Sequence, residues 1–352
     1  MKESALRILL FGDTHLGYDH SFQPRIQRRR RGPDFLENFY RVLSYARKEG
    51  VDLLVHGGDL FFRSKIPKRL IPLVYDPLLE LAETGLPIFL IPGNHERSRF
   101  PTPILLAHPN IHVFAEPSTH LAQIKDYRIL LAGFPFWRSN LKDNFRNLLA
   151  ATGWQKEKAD LHLLCLHQIF RGAQVEGYTF RGGPDVVSQK WVPDQFQAVL
   201  SGHIHRFQVL PHFWACQRYC PPVIYPGSTE RTSFMEKSEV KGFCVLHFIA
   251  GFNGLQLQNI NFVPLPTRPM LDIHIPAQFD NTVDLGDLVR KELLQIPKDA
   301  IVRLKLPEGM PSWATDFLTS RRLRALSPAT MNVQLQRPRL ESRSLSEVSS
   351  PV

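Results

Sequence analysis

Five apolar runs in this chain each stop at Asp, His or Asn, mostly beside glycine, and that coincidence restricts the fold more than any other feature. Val51-Asp52-Leu53-Leu54-Val55-His56 is too short for a helix and suits a strand buried on both faces of a sheet covered by helices. It ends at Gly57-Gly58-Asp59, where the glycines let the backbone turn sharply and let another group come close. Asp59 then leaves the carboxyl end of a central strand, where open α/β sheets place their sites. Arg7 to Phe11 ends at Gly12-Asp13-Thr14-His15, so Asp13 and His15 leave a strand end two residues apart and point the same way. Pro87 to Ile91 ends at Pro92-Gly93-Asn94-His95-Glu96, Leu161 to Leu166 at His167, and Phe196 to Leu200 at Ser201-Gly202-His203-Ile204-His205.

One Asp-x-His or His-x-His beside an apolar run usually marks a satisfied core or surface histidine. The recurrence at five strand ends argues instead for one site with Asp59 as its bridging carboxylate. Asp, His and Asn supply hard oxygen and borderline nitrogen donors, which suit Mn²⁺, Fe²⁺ or Zn²⁺ better than a thiolate site would. Two such ions about 3.5–4 Å apart clamp the attacking and leaving oxygens of an in-line displacement at phosphorus. The expected reaction is metal-assisted phosphoester hydrolysis.

The set Gly12-Asp13-Thr14-His15, Gly58-Asp59, Gly93-Asn94-His95-Glu96, His167 and Gly202-His203-Ile204-His205 resembles the signature of the calcineurin-like metallophosphoesterases. Within that superfamily, Asp13 to Gly17, Gly58 to Phe61, and Tyr225 to Phe234 leading to Lys241-Gly242-Phe243 are similar to the SbcD-type DNA-repair nuclease subunits. The resemblance covers about residues 5–275. It implies one metal held by Asp13, His15, Asp59 and His205, a second held by Asp59, Asn94, His167 and His203, and manganese as the preferred ion. His95 is implied to act outside the metal ligands, stabilising the pentavalent phosphorus or protonating the leaving oxygen. Phe62 stands where many SbcD-type chains carry a polar side chain, three residues after the bridging Asp. DNA as substrate, an SbcC-type ATPase partner and a homodimer are further implications. The rivals are a protein phosphatase or small-nucleotide phosphodiesterase on the same fold, and a non-catalytic DNA-binding adaptor. Asp59 lacks the following Asp-Arg-Gly of the phosphatases, and an intact ligand set disfavours the adaptor.

The rest of the chain fits this reading. A net charge of +10 favours a polyanionic partner, and Arg25, Arg28, Arg29, Arg30 and Arg31 crowd the loop after the Asp13/His15 strand end, where they are expected to grip phosphates. No stretch reaches the roughly 20 apolar residues of a membrane span, so a soluble cytoplasmic protein is expected. Cys165 and Cys244 read as core residues; His212, Cys216 and Cys220 lack a fourth ligand for zinc and read as idle loop thiols. Residues 34–49 have helical apolar spacing, with Asp34 and Glu37 fitting a capping box and Gly50 a C-terminal stop. Residues 70–83 and 141–151 read as further helices, and 111–114 and 129–133 as strands. Residues 168–195 form a loop-rich wall of the cleft, where Tyr178, Phe180, Arg181 and Trp191 either stack bases or pack the loop onto the core. Strands at 223–225, 242–249 and 255–263 are expected to complete a second sheet. The fold class is therefore α/β: a two-sheet sandwich flanked by helices over residues 1–265, a small α+β capping unit in truncated form over 266–326, and a disordered basic tail over 327–352.

Overall fold

The computed structural model describes residues 5–19, 30–210, 220–252, 254–276, 279–307, 310 and 312–336. Strands β1 (Leu6–Phe11), β2 (Leu53–His56), β3 (Ile88–Leu90) and β4 (Ile111–Val113) run parallel, with helix α1 (Gly32–Glu49) between the first two and α2 (Leu70–Ala82) between the next. A second sheet is built from β5 (Ser118–Ile124), β6 (Tyr127–Gly133), β7 (Leu161–Leu166), β8 (Ala198–Ser201), β9 (Gln208–Leu210) and β10 (Val223–Tyr225), in the order β9-β10-β8-β7-β6-β5. Helix α3 (Leu141–Ala151) lies between β6 and β7. The hairpin of β11 (Gly242–Gly251) and β12 (Gly254–Pro264) returns to the first sheet, whose order is β12-β11-β1-β2-β3-β4.

That return corrects the expected strand allocation. Only 223–225 joins the second sheet; β11 pairs antiparallel with β1, placing Ile8 opposite Leu246 and Leu10 opposite Cys244. The reason is the alternation of apolar side chains. Leu6, Ile8 and Leu10 pack between the sheets with Leu246, Leu163 and Leu200, while Leu9 and Phe11 face the helix layer with Phe39, Val42 and Leu78. The outer face of the second sheet is covered likewise, Leu130, Leu164 and Val199 packing against Phe145 and Leu149 of α3. Both faces of the central strands are thus dry, and their polar groups can emerge only at the strand ends.

Helix α1 buries the expected Phe35, Phe39, Val42, Leu43 and Ala46, and Gly50 ends it at φ 58°. Its start differs from the capping-box reading: the helix begins at Gly32-Pro33, where proline needs no backbone donor, and no side chain caps it. Cys220 is buried along with Cys165 and Cys244, so it is a small core residue and not an idle loop thiol, whereas His212 and Cys216 lie outside the described residues. Among the described residues no helix is long and apolar enough to cross a membrane.

A first compact unit ends at Thr267 and a second begins at Arg268. The second contains β13 (Met270–His274), α4 (Thr282–Leu294), β14 (Ile301–Lys305), α5 (Ser312–Phe317), α6 (Ser320–Leu326) and β15 (Asn332–Gln336). Among the described residues its strands are all parallel, in the order β13-β14-β15, over a core that includes Leu285, Val289, Val302, Leu304 and Leu323. The expected tail therefore starts too early at 327. Met331 is buried and Val302 faces Val333 in register, so 332–336 is a strand of this unit.

Candidate metal centre

The five strand ends meet at one point, three from the first sheet and two from the second. The loops after β1 and β2 are laced together, Asp13 N–H donating to Gly58 O at 2.8 Å and His15 N–H to Asp59 O at 3.0 Å. The two sheets touch through glycine: Gly202 N–H donates to Gly57 O at 3.1 Å, and a Cβ on Gly202 would lie 2.3 Å from that oxygen. Gly93 serves the same end, since a Cβ there would sit 2.1 Å from Asp59 Oδ1. These are close approaches of the kind that the glycines before Asp59 suggested.

The donors fall into two groups that share Asp59. In one, the Nε2 atoms of His15 and His205 approach to 2.9 Å, and His205 Nε2 lies 3.9 Å from Asp13 Oδ1. In the other, Asn94 Oδ1 lies 2.9 Å from His203 Nδ1 and 3.1 Å from His167 Nε2, which is itself 3.3 Å from Asp59 Oδ2. Asp13, His15, Asp59 and His167 are almost wholly buried. The clusters Asp13-His15-His205 and Asp59-His167-His203 each bring their donor atoms within 4.8 Å of one another. Ring nitrogens crowded against each other and against carboxylates suit divalent cations: the donor set fits two, one that Asp13, His15, Asp59 and His205 would hold and one that Asp59, Asn94, His167 and His203 would hold.

Hydrogen bonds behind the donors fix which nitrogen faces the centre. His167 Nδ1–H donates to Gly57 O at 2.7 Å, leaving Nε2 inward, and His205 Nδ1–H donates to Glu236 Oε1 at 3.2 Å, leaving its Nε2 inward. Glu236 also accepts from Thr232 Oγ1 at 2.7 Å and from Lys241 Nζ at 2.7 Å. Sequence reasoning assigns no such role to Glu236, Thr232 or Lys241. Glu236 lies two residues past the Tyr225–Phe234 motif, with no spacing rule to tie it to His205. Glu96 is a second buried support, accepting from Phe61 N–H and from Gly93 N–H at 2.9 Å and so joining the loops that carry Asp59 and Asn94.

Electrostatics follow from burial and pairing. Burial opposes ionisation of Asp59, yet the imidazoles of His167, His15 and His95 hold its carboxyl well below the usual range. Burial likewise disfavours a charged His167, but the Asp59 carboxylate outweighs it and lifts the ring to about 9. His203 is driven down to about 3 by burial and by the neighbouring His167, and Asp13 is raised to about 6 by burial. Burial also pushes Glu96 up to about 8.

His95 stands differently. Its side chain is 33% exposed, its Nδ1–H donates to Phe62 O at 2.6 Å, and its Nε2 lies 3.9 Å from Asp59 Oδ2. It also stacks edgewise on His15, with centroids 4.6 Å apart. Arg31, the last of the arginine run, behaves otherwise than expected. Arg31 is buried, paired with Glu230 at 3.5 Å, donates to the Arg231 carbonyl and lies over the rings of Tyr18 and Phe35. It cannot reach a phosphate backbone, because its cation is already engaged inside the fold. Arg30 is half-buried, and Arg25, Arg28 and Arg29 lie outside the described residues. Phe180 and Trp191 pack against the outer core of the second sheet, while Tyr178 and Arg181 are exposed.

Residues 6–207, a span holding all seven donors, match the family model described as calcineurin-like phosphoesterase. The chain belongs to the calcineurin-like phosphoesterase family. It is 41% identical over 306 residues to the DNA double-strand break repair protein Mre11 of Haloferax volcanii, covering 85% of this chain and 61% of that one. Against the Mre11 protein of Thermoplasma acidophilum it is 25% identical over 240 residues, covering 66% of this chain and 58% of that one. The chain thus spans about six tenths of the length of these relatives. Among solved structures, a dimetal phosphatase from Danio rerio aligns with 74% of this chain and 99% of that one, at 12% identity and a TM-score of 0.43. The family is one of metal-dependent hydrolases, with the α/β two-sheet fold described above.

Proposed function

We propose that the protein hydrolyses phosphodiester bonds of DNA at a binuclear centre, as an SbcD-like repair nuclease, with Mn²⁺ as the preferred ion. The observation that carries the reading is the convergence of seven donor side chains from five strand ends around Asp59, in a chain similar over most of its length to proteins named for DNA break repair. Two divalent ions supply charge neutralisation at the phosphoryl oxygens and a lowered pKa for the attacking water.

The residues of the chain do the positioning. Asp59 Oδ1 is steadied by His95 N–H at 2.9 Å, and its Oδ2 lies 3.3 Å from His167 Nε2, where the carboxylate would be shared by the two donor groups. Asp13 is fixed by His203 N–H, 3.1 Å from both carboxylate oxygens, so the two donor groups are locked together. Phe62 O holds the Nδ1 proton of His95 and directs Nε2 towards the Asp59 side of the centre, where a protonated ring meets a leaving oxygen. A second copy of this chain is proposed as partner through the exposed Leu73, Ile104 and Leu105, and an SbcC-type ATPase as the partner that the resemblance implies.

The test sets single- and double-stranded DNA beside a phosphoprotein and a cyclic nucleotide, each with Mn²⁺, Mg²⁺ and Zn²⁺. DNA cleavage fastest with Mn²⁺ is expected. Turnover of the phosphoprotein with inert DNA would overturn the assignment.

A further inference from the structure

Two phenylalanines stand against the donor groups, one at each. The Phe62 ring lies 6.0 Å from His15 and 5.5 Å from His95. The Phe136 ring is stacked on His203 at 5.5 Å and meets His167 edgewise at 6.0 Å. Both are half-buried and both are held by the loops that carry the donors. Phe62 N–H donates to Leu16 O at 3.0 Å while its carbonyl takes the His95 proton. Phe136 N–H donates to Pro92 O at 2.9 Å, and its carbonyl accepts from Ser98 Oγ. The main chain at neither phenylalanine can shift without disturbing the segment that carries Asn94 and His95.

Cations accompany the rings. The Arg63 guanidinium lies over the Phe62 ring at 5.3 Å, and Trp137 and the exposed Arg138 follow Phe136. Arg97, two residues past His95, is also exposed, and among the described residues neither Arg97 nor Arg138 has an ion-pair partner. Aromatic faces interleaved with free arginines form the chemistry that holds unpaired nucleotides: rings stack bases, guanidinium planes stack bases or take phosphates, and duplex bases are unavailable to either.

Resting on the reading of DNA as substrate, we propose that the centre takes its strand unpaired, one nucleobase stacked on Phe136 and another on the Phe62–Arg63 pair, on opposite sides of the scissile phosphate. Phe62, which replaces a polar side chain common in similar nucleases, becomes a binding element for a base. Arg97 and Arg138 supply a grip on phosphate beside the rings, a role that the buried Arg31 does not fill.

Dinucleotides carrying a single phosphodiester test this, each compared with its analogues lacking the base on one side or the other. For the wild-type protein each missing base should raise KM roughly 5- to 150-fold, the range that one base–aromatic stack supports. Phe136→Ala should raise KM on the intact dinucleotide by a similar factor and become indifferent to loss of one base, Phe62→Ala to loss of the other. Phe136→Trp should restore both the KM and the sensitivity, which a merely structural role would not do. Circular dichroism and thermal melting identify any variant that fails to fold, in which case Phe136→Leu replaces it. Equal KM for intact and base-free substrates, or undiminished base sensitivity in both alanine variants, overturns the proposal while leaving a DNA phosphodiesterase in place. Absence of cleavage of any DNA phosphodiester by the wild type overturns the underlying reading as well.

Discussion

Replacing Glu236 by Gln removes the charge behind His205 while keeping the side chain's size. The carboxylate takes four hydrogen bonds, from His205 Nδ1 at 3.2 Å, Thr232 Oγ1 at 2.7 Å, Thr232 N–H at 3.4 Å and Lys241 Nζ at 2.7 Å. Burial disfavours a charged His205, yet the bond to Glu236 and the Asp13 carboxylate raise its basicity, which strengthens the inward Nε2 as a donor. Removing such a support costs about 10- to 100-fold in metal affinity. The His205 contact is long for a charge-assisted bond, which places the expected loss near the lower end, about tenfold or about 1.4 kcal/mol. The fold should survive, because the buried Lys241 keeps Glu239 at 2.8 Å and is not left as a lone buried charge. Calorimetric titration of metal-free protein with Mn²⁺ should show one binding step weakened and the other unchanged. Glu239→Gln, which leaves the Glu236–His205 bond in place, should weaken neither. Wild-type affinities in both steps for Glu236→Gln would refute the coupling.

His95→Ala should retain both metals by elemental analysis while turnover falls roughly 10²- to 10⁴-fold, the span of general acid–base catalysis; loss of a metal would make His95 a ligand. Arg31→Gln should lower the free energy of unfolding by about 1–3 kcal/mol, because the buried Glu230 carboxylate loses one partner and keeps the Arg231 N–H at 2.7 Å, and should leave the salt dependence of DNA binding alone. Unchanged urea stability with a flattened salt slope would restore Arg31 to the substrate. His120, between Phe89, Phe114 and His112, is pushed down to about 4 by burial and then by His112. Its unfolded form binds the proton first, so stability should be full above about pH 6.5 and fall as pH drops towards about 4; His120→Gln should flatten that fall in urea unfolding compared between about pH 7 and about pH 5.

The donors and most strands are legible in the sequence because each is a local pattern. An apolar run followed by Gly-Asp or Gly-His states both a buried strand and what leaves its end. Which strands share a sheet is not local. The 242–251 and 254–264 hairpin is as apolar and alternating as any partner of 223–225, and only its packing beside β1 assigns it to the first sheet. The strand at 332–336 escapes sequence reasoning for a related cause: five residues rich in Asn and Gln carry little hydrophobic signal, and the parallel pairing with β14 supplies what propensity does not. Arg31 is misplaced by a reading from charge, because charge alone does not say whether a guanidinium faces water or a buried carboxylate. Glu230 and Arg231, which satisfy it, lie some two hundred residues along the chain.

The donor residues also carry conformational meaning. Asp13, His15, Asp59 and His203 sit at φ 49°, 45°, 53° and 85°, in the left-handed region that L-residues seldom occupy. Each such position costs of order 1–3 kcal/mol and persists only where the surroundings fix it. Here the surroundings do so: cross-loop bonds hold Asp13 and His15, and Asp13 holds His203. Asp, Asn and His are also the non-glycine residues that most readily accept positive φ. Four of the seven candidate donors are therefore residues that tolerate the sharp turn at a strand end, and at Asp13, His15, Asp59 and His203 one side chain specifies the bend and offers the donor together. A β-branched or aliphatic replacement at Asp13 or Asp59 would lose both at once, which is why strand ends of this composition point so directly to a preorganised centre.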